Sequence, residues 1–315
     1  MALTNVQLRY YDSNVLRLPA DKRKEYHLQV DRLIAALRKS LADDEDVRIT
    51  RVVKAGSFAK YTILRQTNQD AVDVDVVFYV DAPDADHETL QQINDRIYAI
   101  LIKQYPNKSV EDFEIQRRAL TVTFIGSGLS IDVVPVVEDV DRPGYGWQFD
   151  LTDGTKVETC APGQIKFVLD RKKEDPDFRT LVRMAKRWRT QAEIPRLKSF
   201  VIELLMAHVL DTEGSAGSID HRFRRFLQYI AQSGLQDVIS FRENALPLGT
   251  FDHPVIILDP VSSGNNVASR LSDEERLEIV AAAKLAWETA HYASAADDVE
   301  AWREIFGLRF RTEDK

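Results

Sequence analysis

The sequence predicts an α+β protein, with a mixed-sheet lobe flanked by helices followed by a mostly helical C-terminal lobe. Three observations predict it. Strand-like runs rich in β-branched residues are concentrated before residue 160, helical periodicity dominates after about residue 162, and Gly126-Ser127-Gly128 joins two apolar runs as a hairpin loop would. The expected division is therefore 1–160 for the mixed lobe, with an N-terminal helix, and 161–315 for the helical lobe.

The elements follow in order. From Lys22 to Leu41, apolar residues at Leu28, Val30, Leu33, Ile34, Leu37 and Leu41 recur with helical spacing after a Pro19-Ala20-Asp21 start. Val47 to Val53 alternates as a strand, and Gly56-Ser57 turns the chain into a short helix expected from Ala59 to Leu64. Val72 to Val80 is a second, β-branched strand. A helix is expected from His87 to Gln104, stopped by Pro106-Asn107, then paired strands over Ala119 to Ile125 and Leu129 to Val137. The C-terminal lobe should hold helices over Gln164–Lys173, Phe178–Thr190, Leu197–Leu210, His221–Ser233, Asp273–Tyr292 and Ala296–Phe306, with one short strand at Val255–Leu258.

Composition bounds the function. At 315 residues and 44% apolar content the chain has ample core for such a pair of lobes. No apolar run is long enough to cross a membrane, and Met1-Ala2-Leu3-Thr4-Asn5 does not begin a secretory signal. The single cysteine, Cys160, excludes an internal disulfide and a cysteine metal cage, so a reducing cytoplasm is the expected location. Six histidines without HxH or HxxxH spacing argue against a zinc site. A net charge of −8 argues against a surface that coats nucleic acid. The Arg171–Lys198 stretch nevertheless concentrates Arg and Lys, which reads either as a grip on an anionic ligand or as a solvated Arg-rich helix face.

Three carboxylates carry the chemistry. Asp73 and Asp75 lie in Val72-Asp73-Val74-Asp75-Val76-Val77, and Asp132 lies in Leu129-Ser130-Ile131-Asp132-Val133-Val134. Ionised groups in apolar strands are costly without a counter-charge, and no Lys or Arg neighbours them in sequence. Oxygen-only ligation suits Mg²⁺. Asp73 and Asp75, two apart, share a strand face, so pairing of the Asp132 strand beside them would converge all three. Alone, a Gly-Ser pair is an ordinary turn and an Asp-x-Asp more often an exposed edge. Their joint arrangement is the specific feature. Fifteen residues separate Ser57 from Asp73, and Asp70 within that insertion reads as a loop residue.

That combination of Gly56-Ser57, Asp73-x-Asp75 and Asp132 resembles the nucleotidyltransferase superfamily that includes DNA polymerase β, in which two divalent ions serve nucleotidyl transfer. The compact form of the motif is shorter between the Gly-Ser and the first Asp. Further along, Leu181 to Trp188, Leu197 to Leu205, Ile257-Leu258-Asp259-Pro260-Val261, Asn265-Asn266-Val267-Ala268 and Trp302 to Gly307 are similar to the bacterial cGAS/DncV-like nucleotidyltransferases of CBASS anti-phage systems, most of all clade C.

The resemblance implies a polymerase-β-like catalytic lobe, a helical C-terminal lobe, and an active site in the cleft between them. Asp73, Asp75 and Asp132 would be catalytic and bind two Mg²⁺ ions, with Mn²⁺ as a substitute, and Asp132 would lie nearest the attacking hydroxyl. Gly56 and Ser57 would hold phosphate. Lys186 would bind the donor triphosphate, Ser199 would give its hydroxyl to the same phosphates, and Phe200 would stack on a base or else pack in the core. Lys198 reads as a solvated charge. Implied partners are ATP and other nucleoside triphosphates, a HORMA-domain regulator, an AAA+ ATPase and a downstream cyclic-nucleotide-activated effector.

The expected activity is synthesis of a cyclic oligonucleotide second messenger, cyclic tri-AMP favoured, with release of pyrophosphate. Two other readings stand beside it: a template-independent polymerase adding nucleotides to an RNA end, and a catalytically dead scaffold. The acidic charge disfavours the polymerase, because an RNA backbone usually demands a basic surface. The intact carboxylates disfavour the scaffold.

Overall fold

The computed structural model describes residues 3–42, 47–65, 71–82, 87–246 and 248–313. Asp70 lies outside the described residues. The chain opens with α1 (Asn5–Tyr11), whose N-cap Thr4 forms a reciprocal capping box with Gln7, and continues as a π-helical segment over Asp12–Leu16. Then come α2 (Ala20–Ser40), β1 (Arg48–Lys54), α3 (Gly56–Ala59), β2 (Val72–Asp81) and α4 (His87–Gln104). Four strands follow: β3 (Phe113–Ile115), β4 (Leu120–Phe124), β5 (Leu129–Glu138) and β6 (Gly146–Phe149). Beyond β7 (Lys156–Thr159) lie α5 (Ala161–Glu174), α6 (Phe178–Gln191), α7 (Ser199–Glu213) and α8 (Ile219–Ser233). The last elements are β8 (Val238–Ile239), β9 (Ile256–Asp259), β10 (Ser262–Asn266), α9 (Asp273–Ala296) and α10 (Val299–Phe306).

By contacts the chain divides into two units. One comprises residues 18–60 and 66–165, and the other residues 1–17, 61–65 and 166–315. The sequence-based boundary at 160/161 thus differs from the contact division, which falls within α5 and groups residues 1–17 and 61–65 with the C-terminal half. Those segments are bound there by side chains: α1 and the π-helical segment place Leu8, Tyr11 and Leu16 in the helical core.

The first unit is a sheet of order β1-β2-β5-β4-β3, extended by β6 on β5 and β7 on β6. Among the described strands of this sheet only the central β2·β5 pair is parallel, so the sheet is mixed as expected. Side chains alternate across it. Val74, Val76, Ile131 and Val133 are fully buried on one face, while Val77, Tyr79, Val134 and Val136 form a small apolar cluster on the other with Ala55, Ala119 and Ala161. α2 and α4 pack together and α4 reaches β4.

The second unit is helical around one core, with a small β8-β9-β10 sheet. Phe223, Trp302, Phe306, Phe310 and Tyr11 interlock through ring contacts 4.7–6.4 Å apart. Asn266 is buried and satisfies backbone: its Oδ1 accepts from the amides of Ile257 and Ala268, and its Nδ2 donates to the Val255 carbonyl. Asp259 stabilises a turn by accepting from the Val261 amide. Among the described residues no helix is long and apolar enough to cross a membrane.

Candidate active site

Register decides where the carboxylates go. In the parallel β2·β5 pair, Asp75 is the direct partner of Asp132 and Asp73 the partner of Ser130. Partners across a ladder point the same way, so Asp73, Asp75 and Asp132 share one face, as the spacing predicts. The row continues sideways: Asp132 partners Thr121 on β4, and Thr121 partners Glu114 on β3. The carboxylates occupy the start of a face whose later positions, Val77, Tyr79, Val134 and Val136, are the apolar cluster.

Asp132 is half-buried, and its Oδ1 accepts a 2.6 Å hydrogen bond from the Thr121 hydroxyl. Burial pushes its carboxyl above the ordinary carboxylate value, the Thr121 hydrogen bond opposes that rise, and the Glu114 charge adds to it. Neither Thr121 nor Glu114 was anticipated. Each becomes visible only when β3 and β4 are set in register against β5.

Gly56 closes the other side of the row. Ala55 N–H donates to the Asp75 carbonyl at 2.8 Å, which brings β1 and the following turn against β2. Gly56 has φ +60, and a Cβ built on it would lie 1.6 Å from Asp75 Oδ2. Glycine is required there twice over, by conformation and by space. The helix carrying Gly56 and Ser57 is earlier and shorter than the expected Ala59–Leu64, because Tyr61 takes a left-handed conformation (φ 61) that ends it.

The type and side of the donors fit a hard divalent ion, since three carboxylates on one face offer only oxygen. They are not drawn into a closed ligand set: among the described residues no group of three or more His, Cys, Asp or Glu stands in position to hold a metal. Like charges in neighbouring register positions repel, and a cation's own charge is what would gather them.

In the helical unit, Lys186 on α6 is only 2% exposed. Its Nζ donates to Glu203 Oε1 at 2.7 Å, to Thr62 Oγ1 at 3.0 Å and to the Thr62 carbonyl at 3.3 Å. Ser199, the first residue of α7, accepts from Arg189 Nη1 at 3.1 Å, and Phe200 is half-buried against the helical core. Burial holds the Arg189 guanidinium below its ordinary value.

Much of the basic stretch is compensated by carboxylates that lie outside it. Arg171 pairs with Asp211 and Glu243, Arg183 with Asp12, Arg196 with Glu275, and Lys173 with Asp170. Counter-charges brought in from distant segments cannot be seen by reading the stretch alone. Three of its residues converge on one segment. Arg179 lies over the Tyr61 ring at 4.9 Å, Arg183 Nη1 donates to the Tyr61 carbonyl at 2.5 Å, and Lys186 holds Thr62. Spaced i, i+4 and i+7, they form one stripe on α6. This clamp holds Tyr61 in a conformation that costs about 1–2 kcal/mol for an L-residue.

Residues 4–166 match the model of the Second Messenger Oligonucleotide or Dinucleotide Synthetase domain. The chain is 61% identical over 314 residues to the CBASS oligonucleotide cyclase CdnC of Escherichia coli (strain KTE188), covering 100% of this chain and 99% of the relative. It is 33% identical to the cyclic AMP-AMP-AMP synthase of E. coli (strain MS 115-1), covering 94% of each chain. Solved structures of E. coli MS115-1 CdnC are similar too. The one with ATP has 31% identity and a TM-score of 0.83 over 98% of this chain and 99% of that one. The CdnC:HORMA-deltaN complex has 30% identity and a TM-score of 0.82 over 99% of each.

Proposed function

The chain belongs to the second messenger oligonucleotide or dinucleotide synthetases, within the CdnC-type CBASS oligonucleotide cyclases, and from that membership we propose that it makes cyclic tri-AMP from ATP. It is a nucleotidyltransferase of anti-phage defence, and cyclic oligonucleotide synthesis is its family's activity. In each proposed step a sugar hydroxyl attacks the α-phosphorus of a triphosphate. The new P–O bond forms as the bond to pyrophosphate breaks, and the hydroxyl proton leaves. The name of the 33%-identical relative, a cyclic AMP-AMP-AMP synthase, supports an all-adenine product.

The observation that carries the reading is the Asp75↔Asp132 partnership with Asp73 on the same face. Asp73 and Asp75 would hold two Mg²⁺ ions, for which Mn²⁺ substitutes, and Asp132 would complete the set and accept the proton of the attacking hydroxyl. When bound, such ions lower the hydroxyl's pKa and neutralise the triphosphate. Thr121 keeps the Asp132 carboxylate aimed and favours its ionised form. Gly56 gives Asp75 its space, and Gly56 and Ser57 would bind phosphate. Lys186 and Ser199 would contact the donor triphosphate and Phe200 the base.

The proposed partners are ATP, a HORMA-domain regulator, an AAA+ ATPase and a cyclic-nucleotide-activated effector, in the cytoplasm. The solved complex of the related CdnC with a HORMA protein supports the regulator. Incubation with labelled ATP and GTP, Mg²⁺ and no primer tests the activity. A small phosphatase-resistant product identified by mass spectrometry as cyclic tri-AMP is expected, and elongation of added RNA alone would establish the polymerase instead.

A further inference from the structure

Lys186, Thr62 and Glu203 form a closed ring of hydrogen bonds in the core of the helical unit. Lys186 Nζ donates to Thr62 Oγ1 and to Glu203 Oε1, and the Thr62 hydroxyl, which accepts from the ammonium, donates its proton to the same Glu203 oxygen at 2.5 Å. The Thr62 carbonyl takes a further bond from Nζ. An ammonium has three protons, and this geometry supplies three protein oxygens for them. All three residues are buried, with exposures of 0% for Thr62, 1% for Glu203 and 2% for Lys186.

Glu203 stands alone as a charge in the otherwise apolar run Phe200-Val201-Ile202-Glu203-Leu204-Leu205 of α7. A buried carboxylate persists in such a place by pairing, and its pairing is with Lys186. The segment that supplies Thr62 is held independently: Arg183 grips the Tyr61 carbonyl, and the Arg65 amide donates to the Leu16 carbonyl at 2.6 Å. Thr62 is therefore a fixed acceptor.

We propose that Glu203 and Thr62 are affinity-setting residues that compete with the triphosphate for the Lys186 ammonium. The inference rests on the reading of Lys186 as a triphosphate ligand. A phosphate oxygen can take a proton from Nζ only if one protein oxygen yields it. Surrender of the Lys186–Glu203 contact gives up a buried charge-assisted hydrogen bond, a penalty subtracted from the nucleotide's binding energy. Only a ligand with concentrated negative charge overcomes that threshold. The neutral isostere Glu203→Gln removes the charge that holds Lys186 back while keeping the side chain's volume. Thr62→Val removes the hydroxyl that bonds both partners and keeps the backbone carbonyl.

The test is calorimetric titration of the full chain with a non-hydrolysable ATP analogue and Mg²⁺. Glu203→Gln should bind roughly 5- to 20-fold more tightly than wild type, and Thr62→Val roughly 2- to 5-fold more tightly, on the scale of one hydrogen bond to a charged group. Lys186→Met should weaken binding, and the Lys186→Met/Glu203→Gln double variant should bind like Lys186→Met. A structural role for the ring predicts no gain in affinity. If Lys186→Met binds as wild type does, the assignment of Lys186 to the triphosphate fails. If Lys186→Met weakens binding while Thr62→Val and Glu203→Gln bind equally or more weakly than wild type, competition is overturned and Glu203 is a positioning partner instead. Should Glu203→Gln not fold, Thr62→Val decides the matter alone.

Discussion

A methyl group on Gly56 would stand 1.6 Å from Asp75 Oδ2, so the turn after β1 and the central carboxylate of β2 fit only while residue 56 has no side chain. The φ of +60 at Gly56 adds a conformational demand to the steric one. Gly56→Ala should therefore displace the Asp75 carboxylate without unfolding the sheet. We expect a loss of cyclic product formation of about 10²-fold or more, since a misplacement near 1 Å at a reacting site costs that much. Product yield measured beside a thermal melt checks it: full activity, or a melt showing global unfolding, would count against this account.

Asp75 and Asp132 are carboxylates in partnered register positions of the parallel β2·β5 pair, and like charges so placed repel. Asp75→Asn should abolish product formation while leaving the unfolding midpoint in the absence of nucleotide unchanged or slightly raised. A lowered midpoint would mean that the carboxylate serves the fold rather than the reaction.

Thr121 touches Asp132 and no proposed substrate group. Thr121→Val removes a hydrogen bond to a charged acceptor, worth about 1.5–3 kcal/mol. The expected result is a fall in kcat of roughly 10- to 100-fold with KM for ATP little changed, as befits a positioning residue. Steady-state kinetics separate this from a binding defect, in which KM would move.

Burial pushes the Asp12 carboxyl upward, but hydrogen bonds and charge from Arg183 and Arg17 outweigh it and hold Asp12 below its ordinary value of 3.8. A carboxyl with a depressed folded pKa stabilises the protein at pH above its unfolded value and loses that contribution as pH falls through the folded one. Stability should thus be flat near neutrality and fall below about pH 4, as this pair and the similarly depressed Asp177 protonate. Asp12→Asn should cost about 3–5 kcal/mol at neutral pH, because Arg183 loses its buried partner, and should shallow the acid limb. Urea titrations across the acid range measure both.

The carboxylate face was legible because a strand's period of two and its β-branched composition are local properties. Asp73, Asp75 and Asp132 could be placed on one face from spacing and an assumed pairing, and the register bears out that shared face. Other elements left no such mark. β10 (Ser262–Asn266) contains no apolar residue, α1 is seven residues long, and β6 and β7 are four residues each, so periodicity had too little chain to act on.

The helical-lobe residues show the limit most clearly. The sequence by itself determined the order of the longer strands and helices, the three-carboxylate constellation and the glycine beside it, because each is written in short-range pattern. Tertiary structure alone decided that Lys186 meets Glu203 and Thr62, that Arg183 meets Asp12, and that Asp132 meets Thr121. These contacts join residues up to 171 positions apart. A buried charge must find its partner wherever the fold brings one within hydrogen-bonding distance, and that meeting is a property of packing rather than of any local stretch of chain.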